Sequence, residues 1–275
     1  MTEVEAPPEH RSVSQMHTYE RCPYAYYLGR IKKVWQRPAA WLAQGTAEHE
    51  VFEVVKKAEH AGDPIPLEDA KDLFRQSYAE AINEAAAVTP NFEYWFASGP
   101  YGGQLDIERR YNLGLEQIER FYRWEESHPE EVIWVSEDGT PGIEIDFDID
   151  LDGVLVRGYI DAVLQNYRTA NNGPATIFVR DYKTGNHPGD DFQLGVYSVA
   201  LDVQYGADVP LGDYWMGRTG KPTYPFDLRE WPKDRVTERF HELDEKIRAG
   251  DFPARPDPKV CNFCDVAASC EYAGQ

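Results

Sequence analysis

Basic residues are in short supply in this chain: its 275 residues carry 28 Lys+Arg against 48 Asp+Glu, a formal net charge of -20. Such an acid excess repels a polyanion at long range, which excludes a protein that coats nucleic acid by charge alone. A role on nucleic acid would need a local basic path or a metal. Long apolar runs are lacking as well. None approaches the roughly 20 residues needed to cross a bilayer, and the polar start Met-Thr-Glu-Val-Glu-Ala-Pro-Pro has neither the basic nor the apolar region of a secretory signal. The expectation is a cytoplasmic protein with no membrane contact. A phosphate loop is missing too, because Gly220-Lys221-Pro222 has proline where Ser or Thr would stand and lacks the upstream glycine spacing. ATP is therefore not expected as a partner. Cysteine is scarce, at four residues, and a reducing cytosol makes stable disulfides a poor explanation for them. Cys22 stands alone, while Cys261, Cys264 and Cys270 form a Cys-x2-Cys-x5-Cys triplet.

What is present reads as globular, with 42% hydrophobic and 13% aromatic residues. Residues 1–10 read as a disordered leader. Ser14 is the expected cap of a helix running toward Lys33, broken at Cys22-Pro23. Further helices are expected over Pro38–Ala61, with Pro38 in the first turn, Leu67–Ala87 and Gln104–Glu126, with an ordered loop over Thr89–Gly103. Strands begin near Val132. The alternating Ile143–Leu151 turns through Asp152-Gly153 into Val154–Asp161, and Ala175–Lys183 follows an Asn-Asn-Gly-Pro turn. An amphipathic helix over Asp190–Tyr205 should bury Phe192, Val196, Val199 and Val203. Strands near Tyr214–Gly217 and Thr223 and a helix over Pro232–Ala249 complete the body. The fold class is α/β: a helical region over 11–130, a mixed-sheet core over 131–250 and a cysteine segment over 251–275, in one integrated fold.

The segment Arg180-Asp181-Tyr182-Lys183 carries chemistry. Residues two apart on a strand point to one face, so Asp181 and Lys183 project together, roughly 7 Å apart. A carboxylate that holds a divalent metal beside an ammonium that orients water suits hydrolysis. The plainer alternative is an exposed ion pair. Asp161, expected to end the preceding strand, could lie beside Asp181 by antiparallel pairing, and two such carboxylates repel unless Mg²⁺ or Mn²⁺ lies between them. Gln193 and Tyr197 share a helix face nearby. The acids Glu144, Asp146, Asp148, Asp150 and Asp152 read as the solvated side of their strand, with entry into the site's outer shell the alternative for Glu144.

The order Gly158-Tyr159-Ile160-Asp161, Asp181-Tyr182-Lys183-Thr184-Gly185 and Gln193-x3-Tyr197 resembles the RecB-like branch of the PD-(D/E)XK nuclease superfamily. Ile160 departs from the proline of the superfamily's name. Gly45-x3-His49 resembles that branch's histidine motif. The resemblance implies a restriction-endonuclease-like sheet, with His49, Asp161 and Asp181 as metal ligands and the Tyr182 backbone carbonyl as a further one. An imidazole ligand leans the preference toward Mn²⁺ over Mg²⁺. Lys183 would position the attacking water, and Gln193 and Tyr197 would position the lysine or the DNA strand. One cysteine before this core and three after it resemble the iron–sulfur subset, including CRISPR-associated exonucleases and AddB-type nucleases. That implies a 4Fe–4S cluster on Cys22, Cys261, Cys264 and Cys270, with zinc the main alternative and free thiols a third. The implied activity is a metal-dependent DNA exonuclease acting on single strands or ends. Between Arg11 and Gly45 the bases Arg11, Arg21, Arg30, Lys32, Lys33 and Arg37 face only Glu20, so DNA is expected along this basic lip, held beside the metal site by the clasped chain ends. Two competing readings are a non-cutting adaptor of a CRISPR or recombination complex and a zinc-stabilised protein without nuclease activity.

Overall fold

A computed structural model describes residues 9–166 and 176–274. Most of the expected leader and the whole Asn-Asn-Gly-Pro turn lie outside these residues. The chain divides into two compact units: residues 39–147 with 159–232, and residues 1–38 with 148–158 and 233–275.

In the first of these, helix periodicity sets the framework. Helix α3 (Ala40–His60) buries Ala43, Ala47, Val51 and Val55, one residue per turn, as an amphipathic helix must. Helices α4 (Leu67–Val88) and α5 (Gln104–Ser127) pack against it and against each other. The expected helix spans hold to within two residues at each end, except that Pro38 precedes the helix rather than entering it. The loop between α4 and α5 is ordered, with the buried Trp95 donating from Nε1 to the Thr89 carbonyl at 2.9 Å.

The sheet comprises β1 (Glu131–Ile133), β2 (Ile143–Leu151), β3 (Val154–Asn166), β4 (Thr176–Lys183), β5 (Leu211–Met216), β6 (Lys221–Pro222) and β7 (Phe226–Asp227). Its order is β1-β3-β4-β5-β6, with β2 beside β3 and β7 beside β5. β3 and β4 run antiparallel, whereas β4 and β5 run parallel, joined through helix α6 (Asp191–Tyr205). A mixed α/β sheet with a helical N-terminal region is the restriction-endonuclease-like arrangement expected. The Asp152-Gly153 turn has φ of 53° and 94°, the left-handed pair that a two-residue hairpin requires.

Tertiary packing corrects two expectations. β3 continues five residues past Asp161, because Ala162, Val163 and Leu164 are buried and pair with β4 through Phe178. Asp161 is therefore in mid-strand. Helix α6 is not one-sided: Leu194, Val196, Tyr197 and Leu201 are all buried while Val203 is exposed. The reason is cover from both sides, with β4 and β5 beneath and the turn Leu228–Glu230, followed by Trp231, above.

Phe52, Phe121, Tyr182 and Trp215 join the helices to the sheet through ring contacts of 4.3 to 5.7 Å between Phe52 or Phe121 and the others. Buried beside them, Arg180 makes paired hydrogen bonds to Asp213 at 2.7 and 2.8 Å and reaches Glu131 at 2.6 Å. This fork ties β4 to β5 on one side and to β1 on the other.

The second unit holds α1 (Val13–Arg21), α2 (Pro23–Tyr26), a π-helical turn (Tyr27–Ile31), α7 (Lys233–Arg248) and α8 (Pro258–Cys261). Ser12, not Ser14, caps α1, accepting from Gln15 N at 3.2 Å. The early and late segments meet here. Arg37 N donates to the Asp265 carbonyl at 2.8 Å, and Tyr24 packs edge-on against Tyr272 at 5.0 Å. No described helix is long and apolar enough to cross a membrane.

Candidate active site

The β3–β4 ladder starts at Ala162 opposite Arg180, which puts Asp161 and Asp181 together at its end. Alternation then sends Phe178, Arg180 and Tyr182 toward the helices, while Asp181 and Lys183 face α6. Lys183 Nζ lies 2.6 Å from Asp181 Oδ2 and 3.3 Å from Gln193 Oε1. Gln193 Nε2 donates to Asp181 Oδ1 at 2.7 Å and to the Tyr197 hydroxyl at 2.7 Å. The Tyr197 hydroxyl in turn donates to Asp181 Oδ1 at 3.2 Å. Tyr197 is buried, so its contacts are with the carboxylate and Gln193 rather than with anything in solvent. Burial, with the Asp181 charge next in size, pushes its phenol well above the ordinary value and keeps it a proton donor.

Asp161 turns the other way. Its Oδ2 accepts from Tyr182 N at 2.7 Å and lies 3.4 Å from His49 Nδ1. Ligand atoms of His49, Glu144 and Asp161 all lie within 4.8 Å of one another. The sequence-based trio of His49, Asp161 and Asp181 thus differs from the group that converges: Glu144 takes part and Asp181 does not. The cause is electrostatic. The two aspartates repel, and Lys183, Gln193 and Tyr197 draw Asp181 to their side. Glu144 was assigned to the solvated side of β2, and Asp146, Asp148, Asp150 and Asp152 are indeed exposed there. Glu144 alone is half-buried and carries a left-handed φ of 46°, unusual for a residue other than glycine. A signal was available. Counting seven residues back from Leu151 and seven on from Val154, the two residues flanking the hairpin turn, reaches Glu144 and Asp161 as cross-strand neighbours.

Gly45 lies one turn before His49 on α3. A side chain there would meet only Thr184 Oγ1 at 3.5 Å, an ordinary contact, so packing does not demand the glycine. The second stripe of α3, formed by Leu42, Gly45, Thr46, His49, Glu50 and Glu53, lines an open cleft of about 650 Å³ with Glu144 and Thr184 on its far wall.

The residues suit a divalent cation. One imidazole nitrogen and two carboxylates form a donor set that fits Mn²⁺ or Mg²⁺. Asp181 Oδ2 is fully buried without a hydrogen bond, since the nearby Lys183 ammonium is not aligned to donate to it. The Asp161 carboxyl is pushed up to about 6 by burial and then by Asp181, and the Glu144 carboxyl to about 7 by burial and then by Asp161. A carboxyl whose folded pKa is raised favours the folded state most fully below its ordinary value near 4, and that contribution is lost as pH rises through the folded value. Without metal, these two groups therefore withdraw stability across about pH 4 to 7. Metal binding needs them ionised. Mn²⁺ is expected to raise the melting temperature strongly at about pH 8 and weakly at about pH 5, measured by thermal denaturation with and without the ion; equal shifts at both would contradict the assignment.

The four cysteines lie in the other unit, as free thiols lining one pocket with Ala25, Val260 and Val266. Cys22 caps the junction of α1 and α2, Cys261 ends α8, and Cys264 and Cys270 flank the turn Ala267–Ser269. Burial pushes the Cys264 thiol up. Arg21, Arg30, Lys32 and Lys33 are exposed in the same unit, Arg21 at the rim of the cysteine pocket, and Arg37 is half-buried.

Two phage proteins are similar along nearly their full length. The Gene 69 protein of Mycobacterium phage D29 is 53% identical, covering 98% of both chains, and the Gene 69 protein of Mycobacterium phage L5 is 50% identical, covering 94% of this chain and 95% of its own. A solved structure titled "Crystal structure of SSO0001" is similar at a TM-score of 0.34 and 16% identity over 62% of this chain and 76% of that one, too distant to transfer any property. The family profile of the PD-(D/E)XK nuclease superfamily matches residues 10–271. With the mixed sheet and the acid–lysine strand end already in place, that match makes the chain a member of the PD-(D/E)XK nuclease superfamily, whose enzymes are metal-dependent nucleases.

Proposed function

We propose that the chain is a metal-dependent deoxyribonuclease of the RecB-like, iron–sulfur type, acting as an exonuclease on single strands or DNA ends. The observation that carries this reading is the meeting of Asp161, Asp181 and Lys183 at the end of one ladder, with His49 and Glu144 beside them in an open cleft. In this reading His49, Asp161 and Asp181, joined by Glu144 and the Tyr182 carbonyl, hold Mn²⁺ or Mg²⁺. When bound, the ion neutralises phosphate charge and acidifies a water. Lys183, about one-quarter exposed and held against Asp181, would orient the water and meet the negative charge that develops on the phosphate. Gln193 and Tyr197 hold Asp181 and, through Gln193, the lysine. Arg21, Arg30, Lys32, Lys33 and Arg37 contact the DNA backbone. A linear single strand compared with a circular one of the same sequence distinguishes the mode of attack. Digestion of the linear strand alone is the expected result, and cleavage of the circle would overturn the exonuclease assignment.

A 4Fe–4S cluster on Cys22, Cys261, Cys264 and Cys270 completes the reading, supported by four free thiols around one largely apolar pocket. Protein purified without oxygen is expected to be brown and to carry about four iron atoms per chain. A colourless preparation with one zinc and no iron would replace the cluster by a structural zinc site.

A further inference from the structure

The basic residues expected to meet DNA lie at the N-terminal end of the sequence, yet the unit that contains Asp181 and Lys183 has a basic groove of its own. It measures about 450 Å³ and runs between the C-terminal half of α5 and the turn joining β5 to β6. Arg120, Arg123, Trp124 and His128 line one wall, and Gly220 and Lys221 the other. Arg123 and Lys221 form no ion pair among the described residues, and both are exposed. Acids near the groove are engaged, Glu119 by Lys71 at 2.7 Å among them. Glu116 pairs with Arg120 at 3.0 Å, and Glu131 is taken up by Arg180 and by Trp124 Nε1. Attraction to the helix dipole does not account for the cluster, because the last turn of α5 holds no basic residue and Lys221 belongs to another element.

The groove is built, and it starts where the catalytic strand stops. Gly217 N donates to the Lys183 carbonyl at 2.9 Å, and Arg120 donates to the carbonyls of Gly217 at 3.3 Å and Arg218 at 2.9 Å. One turn earlier on α5, Gln117 Nε2 donates to the Thr184 carbonyl at 3.2 Å. Gln117, Arg120, Arg123 with Trp124, and Ser127 therefore form a line leading away from the strand end, roughly 15 Å long at helix rise. Gly220 has a φ of 67°, and a side chain on it would come within 2.9 Å of Arg120 Cβ, so the turn closes onto the arginine only as glycine. Trp124 and His128 stack with ring centroids 3.5 Å apart and an interplanar angle of 13°, a flat aromatic pair beside the cations. Cations that follow a backbone next to an aromatic platform are how proteins hold single-stranded nucleic acid without reading its sequence.

We infer that this groove binds the phosphate backbone of the single DNA strand leading to or from the cleft, with Arg123 and Lys221 as phosphate contacts and His128 on Trp124 as a stacking surface. The inference rests on the nuclease reading above. It also gives a purpose to the Gly220-Lys221 pair: a phosphate contact without the chemistry of a nucleotide-binding loop.

The test is fluorescence anisotropy of a labelled oligodeoxythymidine in EDTA, over roughly 50 to 200 mM salt, with the wild-type chain, Arg123→Ala/Lys221→Ala and Arg123→Lys/Lys221→Arg. Loss of two phosphate contacts should make the salt slope shallower by about 1.4, and the charge-conserving variant should restore it. Turnover of bis(p-nitrophenyl) phosphate, too small to reach the groove, should match wild type in both variants and report an intact fold. A wild-type protein that binds the strand, with an unchanged slope in the double alanine variant, overturns the groove and leaves the nuclease reading standing. A wild-type protein that neither binds nor cuts any strand overturns both.

Discussion

Lys183→Ala is expected to keep the fold and the metal while losing roughly 10²- to 10³-fold in turnover, the scale of removing one group that meets transition-state charge. The ammonium is held by Asp181, Gln193 and the face of the Tyr214 ring, 5.3 Å away, so it is placed before any substrate arrives. Its removal leaves the Asp181 carboxylate with the Gln193 and Tyr197 donors and without a competing cation. Metal affinity should then hold or rise, and the loss should fall on kcat rather than KM. Asp181→Ala should differ. In the proposed reading it removes a metal ligand and also releases Gln193, Tyr197 and Lys183, so turnover and metal affinity fall together. Steady-state cleavage paired with Mn²⁺ titration by thermal shift separates the two variants, and parallel losses of metal affinity in both would refute the division of roles.

Arg180→Met should be the most destabilising single change in the sheet. The guanidinium is almost wholly buried and makes four hydrogen bonds, two to Asp213 and two to Glu131. Methionine would fill much of the volume but leave two carboxylates inside the protein without a counter-charge, at a cost of about 3–5 kcal/mol. That is a large share of the roughly 5–15 kcal/mol that holds a typical domain together. Because β4 carries Asp181 and Lys183 one and three residues beyond Arg180, a loosened β4 should also lower activity. The triple variant Arg180→Met/Asp213→Asn/Glu131→Gln should recover much of the loss, since no bare charge remains. Urea denaturation measures both, and a loss under about 1 kcal/mol in the single variant would mean that water already reaches the site.

Much of this was legible in the residues. The helix spans followed from apolar periodicity, and the β2–β3 hairpin from one Asp-Gly pair, because both are set by contacts close in sequence. Asp181 and Lys183 were legible because strand alternation puts them on one face, whereas Gln193 and Tyr197 were picked out by the family resemblance, helix spacing adding only that they share a face; all four meet. Glu144 was singled out from the four acids that follow only as an outer-shell alternative, because alternation described its strand as a whole as solvated on that side. Distance from the turn distinguishes it. The direction in which Asp181 turns depends on competition among side chains from two elements, which spacing does not encode. The α5 groove was not legible either, for Arg123 and Lys221 come together only through the β5–β6 turn.

The central claim is metal-dependent cleavage by the Asp161, Asp181 and Lys183 site, and the most direct measurement is digestion of end-labelled single-stranded DNA by wild-type protein in Mn²⁺, in EDTA, and by Asp181→Ala in Mn²⁺. The account predicts digestion in the first condition alone. Undiminished cleavage in EDTA or by Asp181→Ala, or none in Mn²⁺, would contradict it.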